Sequence, residues 1–470
     1  MRRTFEHINI PDVKTKGNVT VAFTGQTNPA DLGPEDVPLT VGYEREPWAF
    51  RQGDGMWTPV SMDRVIGDSR LTGVASGELF DCTAERKSMG PISGLDDLLT
   101  TLVSTEHLVR GVRDDVLGGG VMELWDSVPP VPCALAMNFG HDFIRHCMTG
   151  YGWGDLTFYE SGGSQVHIGI NDGPFAAYVF NLYVRVAPML RALTLNSPFY
   201  RGQFMGLASV RNKLRKTLGN SGVIPEILHD SDPFRNFEGE LREVQEAMAS
   251  GAITSLRGRW NATSLRMRLA TIEFSEPDNC GIMDLVLYAG LMQLFTARLM
   301  PVYRGEEELP SFLALRPSEF KLNYNHREVD RYGTKGKLWW RHGDDWQLVE
   351  TRVAWAEFMD WLMEASDLVP AHTFDLNDLL ADRLTVGSIG EQKIREFAAL
   401  QCQGCVIDAT AAAAELGLRS SGRLKCHQAC NQMRPGAVAE AIDQVVLNFH
   451  GYAEEELARF TPGQLQAAAR

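Results

Sequence analysis

The sequence predicts an α+β fold, an antiparallel sheet with helices packed on one face. Three observations point there: segments whose side chains alternate as in strands and carry polar groups, long apolar helical segments between them, and no regular βα repeat of the kind a parallel doubly wound sheet needs. Neither a Gly-x-x-x-x-Gly-Lys-Ser/Thr loop nor a Gly-x-Gly-x-x-Gly loop occurs. Any nucleotide must therefore be held mainly by metal ions and side chains.

Taken in order, residues 1–40 are rich in Gly, Pro, Asn and Asp and read as an irregular lead-in. Residues 39–50 alternate as a strand does, with Pro47 marking an edge or a bend. A second strand is expected over 77–85. Apolar spacing predicts an amphipathic helix over 95–117, with Ser93 and Asp96 as its capping pair. Residues 165–170 read as a strand. Residues 175–195 are apolar nearly all round, which predicts a buried helix kinked at Pro188 and stopped by Pro198. One further strand over 264–274 feeds a long apolar helix at 283–299. From residue 376 the chain changes to short Ala-rich helical segments, including 410–415 and 437–449, so we expect a body over 1–375 and a helical, Cys-containing tail over 376–470.

The chain has 470 residues, a formal net charge of -15 and a pI near 5.3. That balance disfavours a nucleic-acid surface, which needs clustered cations. The densest basic run, residues 211–216 beginning at Arg211, reads either as a solvated helix end or as a phosphate-facing patch. The N-terminus lacks the apolar run of a secretory signal, and no stretch is read as a membrane span, so a cytoplasmic protein is expected.

The acidic residues carry the chemistry. Glu44 and Glu46, two apart on a strand, share a face, with Arg45 pointing away. Glu78 and Glu85 share a face only if their strand bends or ends between them. His167 sits in an otherwise apolar strand, and Glu273 lies between Ile272 and Phe274, where an unpaired carboxylate is costly to bury. If these strands form one sheet, five carboxylates and an imidazole converge, which divalent cations must neutralise. Oxygen donors suit Mg2+ or Mn2+ rather than Zn2+. Such a cluster is what phosphoryl transfer from ATP requires. In the tail, Cys402, Cys405, Cys426 and Cys430 have the spacing of a structural Zn2+ site, with His427 as a substitute ligand; free thiols and disulfides remain alternatives.

At these residues the chain resembles the type-2 glutamate-cysteine ligase-like family of carboxylate-amine ligases, relatives of the glutamine synthetase fold. The matching segments are Gly42-Tyr-Glu-Arg-Glu46, Glu78-Leu with Glu85, Val166-His-Ile-Gly169, the run 188–199 ending Asn196-Ser-Pro-Phe199, Ala208-Ser-Val-Arg211, Thr271-Ile-Glu-Phe274, and Asn325 with Arg331-Tyr-Gly333. The resemblance covers about residues 40–365. It implies a curved sheet of about six strands forming a funnel, with helices outside. It makes Glu44, Glu46, Glu78, Glu85, His167 and Glu273 ligands of two or three Mg2+ ions in an ATP site. Glu44, Arg211 and Glu273 would be catalytic, Arg211 would contact phosphate, and Arg331 would lie near the carboxylate substrate or the nucleotide.

Two departures stand out. Ser275 occupies the place of the family's Arg, and Arg266 or Arg268 would have to replace that guanidinium, although strict alternation puts both on the face opposite Glu273. Gln165 stands where many relatives have His. The expected activity is ATP-dependent amide formation through an acyl phosphate from an amino-acid substrate, glutamate being the family's best-known donor. Small amine substrates, a peptide or carrier-borne substrate and a homo-oligomer are the partners considered. The alternatives are a non-catalytic ATP-binding homologue, motivated by Ser275, and an amino-acid kinase.

Overall fold

The computed structural model describes residues 1–12, 17–138, 160–216, 227, 231–250, 263–401 and 435–460. Its centre is a six-stranded antiparallel sheet built from β1 (Val41–Arg45), β4 (Ala75–Gly77), β5 (Ala84–Lys87), β7 (Ser164–Gly169), β8 (Thr263–Arg266) and β9 (Thr271–Phe274), in the order β8–β9–β7–β1–β5–β4. A second, three-stranded sheet joins β2 (Trp48–Gly53), β3 (Met56–Pro59) and β6 (Val121–Leu124) in the order β6–β2–β3.

Three spans expected as single strands are each divided. The expected strand over 39–50 is two, because Pro47 lacks the N–H a ladder requires and the chain leaves β1 at that point to enter the other sheet as β2. The expected strand over 77–85 breaks after Gly77 and resumes at Ala84. The expected strand over 264–274 is a hairpin: β8 turns back through residues 267–270 to pair with β9, with Ser264 opposite Glu273 and Arg266 opposite Thr271.

Helices cover one face of the main sheet. They are α1 (Leu95–Leu117), α2 (Gly173–Arg191) and α3 (Ile282–Arg304). The inward residues of the strands, Val41, Tyr43, Val166, Ile168, Ile272 and Phe274, are almost fully buried in the principal core, and the Tyr183 ring of α2 lies 4.6 Å from that of Phe274. By length and hydropathy α3 is apolar enough to cross a membrane, contrary to the sequence reading, yet the apolar stretch is wholly buried as the core helix. Gly94, not Ser93, is the N-cap of α1, and Asp96 instead accepts from the Thr373 N–H and hydroxyl. Asp172 caps α2 by accepting from the Phe175 N–H, and Pro188 lies inside that helix.

Beyond these come α4 (Glu319–Tyr332), α5 (Leu376–Val386), α6 (Ile389–Gln401) and α7 (Pro435–Arg459). The last three pack into the body. Leu376, Leu380 and Leu457 enter the principal core, while Phe397, Ile442, Val445 and Val446 build a second core with Trp48, Phe50 and Leu124. Behind the sheet, Arg45 and Arg86 meet Glu106 of α1 at 2.7 and 3.4 Å, Arg86 also pairs with Glu123, and Arg110 reaches from Glu123 to Glu454 of α7.

Candidate active site

The ladder registers decide which side chains meet. Gln165 lies opposite Glu44, His167 opposite Glu273, and Lys87 opposite Glu44, so all five share the face that the helices leave uncovered. Tyr43 and Arg45 alternate to the helical side, where the Arg45 guanidinium is fully buried and stacks on Trp125 at 4.3 Å.

On the open face the carboxylates fall into two adjoining groups. Glu46, Glu78 and Glu85 place one oxygen each within 4.8 Å of one another. The break in the chain between β4 and β5 is what lets Glu78 turn toward Glu85. The second group centres on His167, whose Nε2 is 3.6 Å from Glu44 and 3.8 Å from Glu273. His167 Nδ1 lies 3.3 Å from the Thr271 hydroxyl. With the proton on Nδ1 donated to that oxygen, Nε2 presents a lone pair toward the carboxylates. Among the described residues Nε2 has no hydrogen-bond partner.

The two groups touch electrostatically through Glu46. Its carboxyl is pushed up to about 7, first by burial and then by Glu85, with Glu44 adding to the repulsion and Arg211 opposing it. The Gly163 N–H donates to Glu46 Oε2 at 2.8 Å and Gln165 Nε2 donates to Oε1 at 3.1 Å. Gln165 therefore orients a carboxylate where a His would ligate. Lys87 balances Glu85 at 2.7 Å and was missed in the sequence; its place two residues along the same strand face was the available signal.

Arg266 corrects a sequence expectation. Counting alternation through 264–274 as one strand put it opposite Glu273, but the hairpin resets the parity, and Arg266 Nε pairs with Glu273 Oε2. The Ser275 hydroxyl donates to Glu273 Oε1 at 2.8 Å. Arg268 lies in the turn, exposed.

Arg211 is not a solvated helix end. It opens the short helix Arg211–Lys216, is 5% exposed, and its Nη1 donates to the carbonyls of Ser275, Glu276 and Pro277 at 3.0–3.1 Å. Burial pulls its pKa below the ordinary value. Its guanidinium packs against Gly163, where an added Cβ would fall 2.1 Å from Nη2. Arg331 stacks on Tyr332, and the Asn325 side chain is bound to the backbone of Trp339, so the structure joins neither to the carboxylate groups. Cys402, Cys405, Cys426, Cys430 and His427 lie outside the described residues.

Five carboxylates thus share this region with three cations, Lys87, Arg211 and Arg266. The residual negative charge and the all-oxygen first group fit a hard divalent cation such as Mg2+ or Mn2+.

The chain is similar to known proteins in sequence and in fold. The model of glutamate-cysteine ligase family 2 matches residues 40–351. A glutamate–cysteine ligase of Haloferax volcanii is 35% identical over 117 residues, 25% of this chain and 30% of the relative. A relative from Gloeobacter violaceus is 31% identical over 179 residues, 37% of this chain and 44% of the relative. The match thus spans about half or less of the length of such relatives. In three dimensions the chain is similar to a glutamate–cysteine ligase of Francisella tularensis crystallised with AMP, with a TM-score of 0.52, 11% identity, and 91% of this chain and 97% of that one covered. It is also similar to a bifunctional glutathione synthetase of Pasteurella multocida, with a TM-score of 0.51, 13% identity, and 85% and 54% covered.

Proposed function

Because the chain belongs to glutamate-cysteine ligase family 2, we propose that it is an ATP-dependent ligase that joins the carboxylate of an amino acid to an amine, releasing ADP and phosphate. The observation that carries this reading is the pair of adjoining acidic groups on the open face of the sheet, Glu46 with Glu78 and Glu85, and His167 with Glu44 and Glu273. Bound there, Mg2+ would neutralise the phosphates of ATP and the charge on the transferred group. Around it, Gly163 and Gln165 hold the Glu46 carboxylate in place, Thr271 holds the His167 ring through Nδ1, and Arg266 and Ser275 fix Glu273. The γ-phosphoryl group would pass to the substrate carboxylate, and the amine would displace phosphate from the resulting acyl phosphate. The glutamyl donor of the named relatives is the first substrate to try.

ADP release from Mg-ATP, measured across a panel of amino acids with and without amines and read by mass for a new amide, tests the proposal. Glu44→Gln and Glu273→Gln are each expected to abolish turnover with the fold unchanged. Wild-type rates in both variants would remove the site, and amine-independent ADP release with a stable phosphorylated product would favour a kinase. Ser275, the motive for a non-catalytic reading, weighs less now that Arg266 supplies a guanidinium to Glu273.

A further inference from the structure

A cavity of about 310 Å3 lies between the end of β6, α5, α6 and α7. Its apolar wall includes Leu124, Ile389, Val446 and Phe449. Two ion pairs are built into it: Lys393 with Asp126 at 2.6 Å, both almost fully buried, and Arg383 with Asp284 at 2.5 Å. Those four charges cancel. Glu456, also on the wall, accepts from the Ile282 and Met283 N–H groups at the start of α3. Asp382 and Glu455 line the cavity with no ion pair among the described residues, and Arg459 is the remaining cation. Among the described residues, three carboxylates therefore stand against one guanidinium.

Two wall residues also hold unmet hydrogen-bonding capacity. Trp125, 6% exposed, has an Nε1–H with no partner among the described residues, and so does the Oδ1 of Asn196, 2% exposed. Here the two groups border open space, where a ligand or water would complete them. Apolar walls with a few converging polar groups are the ordinary make-up of a small-molecule site.

We propose that this cavity binds a small organic amine with an apolar body, separately from the acidic face. The net negative wall selects a cation over a carboxylate or a phosphate; the apolar residues hold the body, and Asn196 Oδ1 and the unpaired carboxylates receive the ammonium N–H groups.

Isothermal titration of the full chain with phenethylamine, with phenylacetate as the anionic control, tests this in the absence of nucleotide. Saturable binding of the amine is expected, at least tenfold tighter than phenylacetate and weakened at least tenfold by the double substitution Asp382→Asn, Glu455→Gln. Both positions are exposed, so the variant should keep its fold. Glu273→Gln is expected to leave amine binding unchanged. No saturable binding, equal affinity for phenylacetate, or loss of binding in Glu273→Gln with retention in the double variant would each overturn the proposal, the last by locating the amine on the acidic face.

Discussion

Glu273 receives Arg266 on one oxygen and the Ser275 hydroxyl on the other, while His167 Nε2 stands 3.8 Å away. Arg266→Ala is therefore expected to lower turnover by about a hundredfold and, because it leaves the buried Glu273 carboxylate without its counter-charge, to lower the melting temperature as well; steady-state kinetics and thermal melts on the purified variant check this. Adding Ser275→Arg should restore part of the loss, because position 275 already reaches the same carboxylate. Asp172 carries a different prediction. Burial pushes its carboxyl up to about 6 from an ordinary 3.8, so between those values the folded chain binds more proton than the unfolded one. Stability from this group is highest at acid pH and declines as pH rises through about 6. Asp172→Asn should flatten that decline by about 3 kcal/mol, read from denaturant melts across the window.

At the scale of elements, the strands owe their placement to charges that periodicity alone does not reveal. Arg45 and Arg86 point away from the acidic face and bind Glu106 of α1 and Glu123 of β6, all nearly without exposure. Glu106→Gln leaves buried guanidinium groups short of a counter-charge and should destabilise the fold by about 3–5 kcal/mol, measured by chemical denaturation. The same elements show how far the sequence could be read. Glu44, His167 and Glu273 were legible because each lies on a strand whose alternation fixes its face, and Glu46 because it follows directly on the end of β1. Arg266 was not, since a hairpin reverses the parity that a continuous strand would give and its turn, 267–270, has no glycine to announce it. Glu78 depended on a chain break that alternation does not encode. Gln165 and Lys87 contact the carboxylates Glu46 and Glu85, and such contacts leave no spacing signature.

For the whole molecule, the antiparallel sheet with helices on one face followed from the polar strands and apolar helices, whereas the docking of the C-terminal helices did not. Their buried residues are scattered among alanines and meet strands more than 300 positions away, as in the bond from Trp57 Nε1 to Asp443 at 3.1 Å. Lys393 of α6 pairs with Asp126, and the Gly390 N–H donates to the Leu195 carbonyl next to Asn196. A chain ending at residue 375 should accordingly melt at least about 10 °C lower or fail to fold; calorimetry matching the intact protein would refute this.

Gly162 and Gly163 bring these scales together. A Cβ at Gly162 would sit 2.6 Å from the Glu46 carbonyl oxygen, and one at Gly163 would overlap the Arg211 guanidinium. Neither residue carries a reactive group, yet the room each leaves vacant is filled by a neighbour that belongs to the proposed site. A saturation library read by growth or activity would score both positions as unforgiving as the carboxylates themselves, and conservative replacements such as alanine would fare no better than bulky ones.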